Sequence, residues 1–295
     1  MEDALFRKGI DQAATLGIEE IVLTPINGDV FMDRNILDRM EYIERSKIKF
    51  LQFYTNFIAA DEAAITTMLA LRKLRYLEIS IYGHDLESFS NITGRGAAQY
   101  ARLVENLRTL ERHIGQKRSD LRIVIAVRTY RTFRLQTEPG NDLLDTIRTL
   151  LTVGAEIGIS SLADNWGGDV TREDIAGIQM DLIEGRRLYR KGPCALPFDS
   201  VQVTAVGEVN ACACRDPRGT LKIGDLRTQP LANILSARNT SWSKIVENHE
   251  AGRFNDICRS CGFYQSIHDE RRLAVPGGSE AISKDKFIAR YNASG

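Results

Sequence analysis

The chain has 295 residues, 43% hydrophobic and 26% charged, and its 39 Lys+Arg against 39 Asp+Glu leave a formal net charge of zero. This supports one large or two modest domains, excludes a mainly disordered state, and supplies no global field for nucleic acid or anionic lipid. No stretch approaches the roughly 18 apolar residues of a membrane span, and the opening MEDALFRKG is too charged for a secretory signal, so a cytoplasmic protein with no membrane or nucleic-acid partner is expected.

A helical pattern over residues 2–16 precedes a β-rich run over 18–24. The alternation repeats as helix 35–45, strand 49–55, helix 61–72, strand 75–81, helix 97–114, strand 121–127, helix 141–153 and strand 155–161. It predicts a parallel sheet with covering helices, either open and doubly wound or curled into a barrel. Both forms place their sites at C-terminal strand ends. Those ends read TPINGD (24–29), YTNF (54–57), SIYGHD (80–85), VRTYR (127–131) and SLADNWGGD (161–169), a composition that suits a polar ligand and equally suits ordinary loops. After about residue 192 the texture changes: 199–213 reads as two short strands around a turn at Gly207, followed by small helices at 231–236 and 242–250, with a loose tail beyond Ala274.

All five cysteines, Cys194, Cys212, Cys214, Cys258 and Cys261, fall in the last third of the chain. An odd number, clustered, in a chain expected in a reducing compartment argues against a disulfide framework and for metal binding. Between Cys194 and Cys212 lie 17 residues, and the gap to Cys258 holds 45 before the pair closes as CRSC. Two residues between thiolates suit chelation by a tight turn. By spacing, a structural zinc site, an iron–sulfur site and a chance grouping of small buried residues all stay open, with Cys214 a spare that could substitute for Cys212.

The pattern Cys194, twelve residues, Gly207, four residues, Cys212, a long gap and CRSC resembles the Twitch domain, the short version of the SPASM domain of radical SAM (S-adenosylmethionine) enzymes. LKIGDLRTQPLANIL (221–235) is similar to the segment those domains carry next. The resemblance implies one auxiliary [4Fe-4S] cluster with Cys194, Cys212, Cys258 and Cys261 as ligands. Upstream, TPINGDVFMD (24–33) resembles the GE-type motif, implying that Gly28 and Asp29, a shorter variant of the usual Glu, meet the SAM amino group. YTNF resembles the TNG strand end with Phe57 in place of Gly, implying contacts from Thr55 and Asn56. LEISIYGHDLESFSNITGRG (77–96) resembles the fourth-strand end with Ser80 as the SAM contact, and Arg128 matches a SAM-carboxylate or substrate contact. DNWGGD (164–169) resembles the loop that closes the barrel near substrate, where Asp164 and Asn165 could face a polyol and Asp164 could take its proton.

The architecture so implied is α/β: a partial (β/α)6-type radical SAM barrel, its first strand missing, over 1–192, a small α+β cysteine-rich domain over 193–272, and a tail over 273–295. The first strand and the CxxxCxxC loop of the SAM-binding [4Fe-4S] cluster are expected upstream of Met1. The implied activity is oxidation of a substrate carbon by hydrogen-atom abstraction, with SAM, two [4Fe-4S] clusters and an electron donor such as flavodoxin or ferredoxin. The single-cluster spacing is most similar to radical SAM amino-sugar dehydrogenases of the deoxy-scyllo-inosamine type, whose substrate is a sugar or amino-cyclitol alcohol. A peptide- or protein-modifying maturase and a non-catalytic metal-binding scaffold are the alternatives. His84, His113, His249 and His268 form no ligand-spaced pair and read as packing or surface residues, His84 alone lying near the expected site, while Tyr82 and Trp166 read as packing residues with pocket lining as the alternative.

Overall fold

In the computed structural model, which describes residues 1–116, 120–183, 190–213 and 215–268, the chain divides into two compact units. One comprises Gly17–Ala163 and Arg172–Leu182, the other Met1–Leu16, Asp164–Thr171 and the chain from Ile183. The expected boundary between residues 192 and 193 is therefore drawn differently. Helix α1 (Asp3–Thr15) belongs with the cysteines, because Lys8 Nζ donates to the Leu226 carbonyl (2.6 Å) and the Gln12 side-chain oxygen accepts from the Leu231 amide (2.6 Å). The expected tail at 273–295 and Cys214 lie outside the described residues.

In the sheet unit, β1 (Glu20–Val22), β2 (Phe50–Thr55), β3 (Leu74–Tyr82), β4 (Arg122–Arg128) and β5 (Glu156–Ser160) run parallel in chain order. The crossovers carry α2 (Ile36–Arg45), α3 (Glu62–Ala70), α4 (Leu86–Thr93) with α5 (Ala97–His113), and α6 (Asp142–Thr152). A doubly wound sheet reverses its strand order at a switch point. Monotonic order with right-handed crossovers instead puts every helix on one face, the barrel-type winding. The burial pattern agrees. Leu51 and Phe53, Leu77, Ile79 and Ile81, and Ile123, Ile125 and Val127 are at most 1% exposed, each contributing about 1.5–3 kcal/mol by burial. The alternate residues Gln52, Tyr54, Tyr76, Glu78, Ser80 and Arg128 are only half-buried. A parallel sheet covered on both faces reads as a near-continuous apolar run. The strict alternation in LEISIY therefore marks an inner face kept for polar groups.

Helix α4 was not expected, although its start is written in the sequence: Asp85 and Ser88 form a capping box, each side chain accepting from the other's backbone amide. The turn before it needs Gly83, whose φ is 94° and where a Cβ would lie 2.3 Å from the Phe89 amide nitrogen. Beyond β5, β6 (Leu162–Asp164) and β7 (Asp181–Ile183) form a two-stranded sheet.

The cysteine-bearing unit continues with α7 (Leu196–Asp199) and an antiparallel sheet of β8 (Gln202–Val203), β9 (Glu208–Asn210) and β10 (Lys222–Asp225) in the order β10-β9-β8. Gly207 makes the expected turn between the first two of these, and the third strand is new relative to the sequence reading. Helices α8 (Leu231–Ile234), α9 (Thr240–Glu250) and α10 (Asp256–Ser260) follow. Among the described residues no helix is long and apolar enough to cross a membrane.

Candidate functional site

At the strand ends of the sheet unit, Asp29 is buried and its carboxylate accepts from the Thr55 hydroxyl (2.8 Å) and from the amides of Asn56 (2.7 Å) and Phe31 (3.0 Å). Three bonds occupy most of the roughly four acceptor positions of a carboxylate. Asp29 and Thr55, expected as cofactor contacts, thus act first as a clamp tying the loop after β1, turned at Gly28, to the end of β2. Asn56 and Ser80 are brought together differently: both line one cavity of about 210 Å³, with Tyr82, Arg95, Ile58 and Phe89 around them. Gly28, Asp29, Thr55 and Arg128 do not line it.

Arg128 belongs to a polar group on the inner face whose hub, Glu78, the sequence reading passed over. The Glu78 carboxylate accepts from Tyr76 (3.0 Å), Ser80 (3.3 Å) and Arg128 Nη2 (3.0 Å), and the Arg128 guanidinium lies 5.8 Å from the Tyr82 ring. Burial, reinforced by Glu78, raises the Tyr76 hydroxyl above its ordinary value and keeps it a donor. The available signal was a charged residue on the polar phase of an otherwise apolar strand. His84 is a packing residue: it is buried, bonded through Nδ1 to the Thr129 hydroxyl (2.9 Å), and set against Tyr130 and Phe133.

In the other unit each cysteine is placed by a distinct backbone element. Cys194 pairs in a β-bridge with Ser266, flanked by amide bonds from Ala195 to the Gln265 carbonyl (2.8 Å) and from Ile267 to that of Pro193 (3.0 Å). Cys212 follows the end of β9, where the Asn210 side-chain amide holds its carbonyl (3.0 Å). Cys258 lies in α10 and Cys261 at its end, and a three-residue spacing on a helix turns both to one side. Arg190 fixes that turn, donating from Nε to the Cys258 carbonyl (3.1 Å) and from Nη2 to that of Cys261 (2.6 Å).

The sulfurs are themselves served by the backbone. Amides of Gln265, Arg215 and Phe263 donate to the sulfurs of Cys194 (3.4 Å), Cys212 (3.5 Å) and Cys261 (3.3 Å). Burial is the main cause that pushes the Cys194 thiol up to about 11. It also raises Cys261, and raises Cys258 still further, with Cys212, Cys194 and Cys261 adding to the effect at Cys258. The sulfurs therefore lie near one another, and ionising Cys194, Cys258 and Cys261 in this setting requires a cationic partner. Among the described residues no three His, Cys, Asp or Glu side chains close on a point as a single metal ion requires. All four cysteines are free. Amide donors aimed at sulfur, burial and mutual proximity fit a group that takes all four as thiolates.

The DNWGGD loop lies in this same unit rather than offering its side chains freely to a substrate. The Asn165 side chain donates to the Ser260 carbonyl (2.6 Å) and accepts from the amides of Gly262 and Gly167 (both 3.3 Å), which fastens the loop to the CRSC turn. Gly167 has φ 70°, and a Cβ there would meet the Ile257 side chain at 2.3 Å and the Arg215 carbonyl at 2.7 Å. Asp164 accepts from the Trp166 amide (2.9 Å) and pairs with Arg215. Its carboxylate is thus engaged in an ion pair, in contrast to the free carboxylate that the expected role as base requires.

Residues 194–262 match the SPASM family, an iron-sulfur cluster-binding domain, a span that takes in all four placed cysteines. No curated protein matches the chain in sequence. Among solved structures, the chain is similar to Streptococcus suis SuiB bound to precursor peptide SuiA, at 11% identity and TM-score 0.52, covering 88% of this chain and 62% of that one. It is similar to native anSMEcpe with bound AdoMet and a peptide, at 10% identity and TM-score 0.51, covering 100% and 87% respectively. BtrN in complex with AdoMet and 2-DOIA is 15% identical with TM-score 0.49, covering 88% and 80%. At these identities the likeness is one of fold.

Proposed function

From a chain that carries the radical SAM fold and a SPASM iron–sulfur domain over residues 194–262, we propose a radical SAM oxidoreductase. It holds one [4Fe-4S] cluster on Cys194, Cys212, Cys258 and Cys261, binds SAM at the strand ends, and oxidises a carbon of a sugar or amino-cyclitol alcohol. The observation that carries the cluster is the set of backbone amides donating to three of the four neighbouring sulfurs. When bound, the cluster supplies one-electron transfer.

The chain's own residues then have these parts. Asn56 and Ser80 present polar groups to SAM in their shared cavity. Arg128, steadied by Glu78 and Tyr82, offers a cation to a carboxylate of SAM or substrate. Residues 1–193 contain no cysteine. A flavodoxin or ferredoxin is the electron donor in this reading. A peptide substrate is the second reading, favoured by the peptides bound in the SuiB and anSMEcpe structures.

The test is anaerobic reconstitution with iron and sulfide. The expected product is brown, with four irons per chain, and loses iron when any one of Cys194, Cys212, Cys258 or Cys261 is changed to Ala. A colourless protein with stoichiometric zinc overturns the assignment. By calorimetry, N56A and S80A should each weaken SAM binding by about tenfold, the size of one lost hydrogen bond of ~1.4 kcal/mol. In a protein that also holds the SAM-binding cluster, turnover with a peptide and none with a cyclitol would replace the first substrate class by the second.

A further inference from the structure

One charged pair stands against the cysteines without being one of them. The Arg215 guanidinium lies over the rings of both Phe263 (4.0 Å from its centroid) and Trp166 (4.9 Å), and is paired with Asp164. The side chains of Arg215 and Asp164 are only 21% and 16% exposed. The backbone of the same arginine donates to the Cys212 sulfur (3.5 Å), and Phe263, whose ring covers the guanidinium, donates its amide to the Cys261 sulfur (3.3 Å).

The arrangement is maintained against a local cost. Trp166 holds φ at 46°, where non-glycine residues are strained by on the order of 1–3 kcal/mol, and the loop carrying Asp164 is tied by Asn165 to the turn that bears Cys258 and Cys261. A buried guanidinium with one carboxylate beside it is a fixed charge, since arginine does not deprotonate in proteins. Reducing an iron–sulfur cluster adds negative charge. A nearby fixed cation in a weakly polarisable setting favours the reduced state, and a nearby anion opposes it.

The geometry points to Arg215, with Asp164 as its counter-ion, as the pair that sets the reduction potential of the group held by Cys194, Cys212, Cys258 and Cys261. Arg215 raises the potential and Asp164 restrains the rise. Both are positioning residues, and the inference rests on the cluster reading given under the proposed function.

The test is a potentiometric titration, followed by absorbance and electron paramagnetic resonance, of the reconstituted full chain and of R215Q, R215K, D164N and the double variant. Iron content is measured on every sample. R215Q is expected to shift the potential downward and D164N upward, with R215K near the parent and the double variant between the single ones. Opposite signs separate electrostatics from packing, because loosened packing moves both variants the same way. D164N is nearly isosteric, so its upward shift stands as a measurement even where R215Q retains less iron. Four irons in both single variants with unchanged potentials, or shifts of the same sign, overturn the inference. A parent chain that takes up no iron overturns the cluster reading and this one with it.

Discussion

Phe57 shows how one residue can break a local rule and be compensated by its surroundings. Its φ of 62° belongs to the region that favours glycine, the residue that the resemblance places at this position. The strain is of order 1–3 kcal/mol, whereas a fully buried phenylalanine loses about 3–5 kcal/mol on truncation. Phe57 is 0% exposed, meets the ring of Phe31 edge-on at 6.3 Å, and has its carbonyl held by the Asn106 side chain at 2.8 Å. Burial therefore outweighs strain, and F57G should lower stability by about 2 kcal/mol or more in urea denaturation despite relieving the backbone. A gain in stability would show that strain dominates.

The cysteines make a second prediction at this scale. Burial holds the Cys194 thiol at about 11 in the fold against an ordinary value of 9.0, so between those two values the folded metal-free chain binds more protons than the unfolded chain. Its contribution to stability is complete below the lower value and is lost as the pH rises through the higher one. Chemical denaturation of the metal-free chain should thus show stability falling from about pH 9 to pH 11, by up to about 1.4 kcal/mol per pH unit per buried thiol. C194S should reduce the slope, and an unchanged slope would count against the buried thiol as its source.

Among elements, the turn from β3 into α4 is the most exacting. Gly83 combines a left-handed backbone with no space for a Cβ against the Phe89 backbone, and its amide donates to the Arg128 carbonyl (2.8 Å), joining β3 to β4 just where Ser80 and Arg128 emerge. G83A should cost more than about 2 kcal/mol and weaken SAM binding together with stability, whereas S80A should weaken binding alone. Equal stabilities of G83A and the parent in thermal melts would contradict the geometry. The alternation of apolar with polar residues in β3 was readable in the sequence, as were the five strands and their linking helices, because each follows from side-chain period and local propensity. Helix α4 was missed because it spans only eight residues, with its stabilisation concentrated in a capping box rather than in a long apolar stripe. Strand β10 was missed because its pairing partner Glu208–Asn210 is separated from it by the Cys212 loop, and register across such a loop is not a local property.

For the whole molecule, the division into two units separates a sheet with its own apolar core from a smaller unit built on short elements around four thiols. A group that binds only the folded cysteine unit stabilises it by linkage. Calorimetric scans should show a transition that moves to higher temperature on loading with iron and sulfide and returns on chelation, while the transition of the parallel-sheet unit stays in place. Coincident movement of all unfolding would show that the two melt as one.

Composition, the αβ alternation and the spacing of the cysteines are properties of the sequence itself, and they were sufficient to indicate the fold class and the four candidate ligands. Which strand face stays polar, and that Glu78 gathers Tyr76, Ser80 and Arg128, follows from pairing registers between distant strands. That Asp164 meets Arg215 rather than a free substrate, and that α1 joins the cysteines, depends on contacts between residues 51 and more than 200 positions apart in the chain. Local propensity acts over a few residues, whereas ion pairs and strand registers are selected by the packing of the completed fold, so only the tertiary structure decides them.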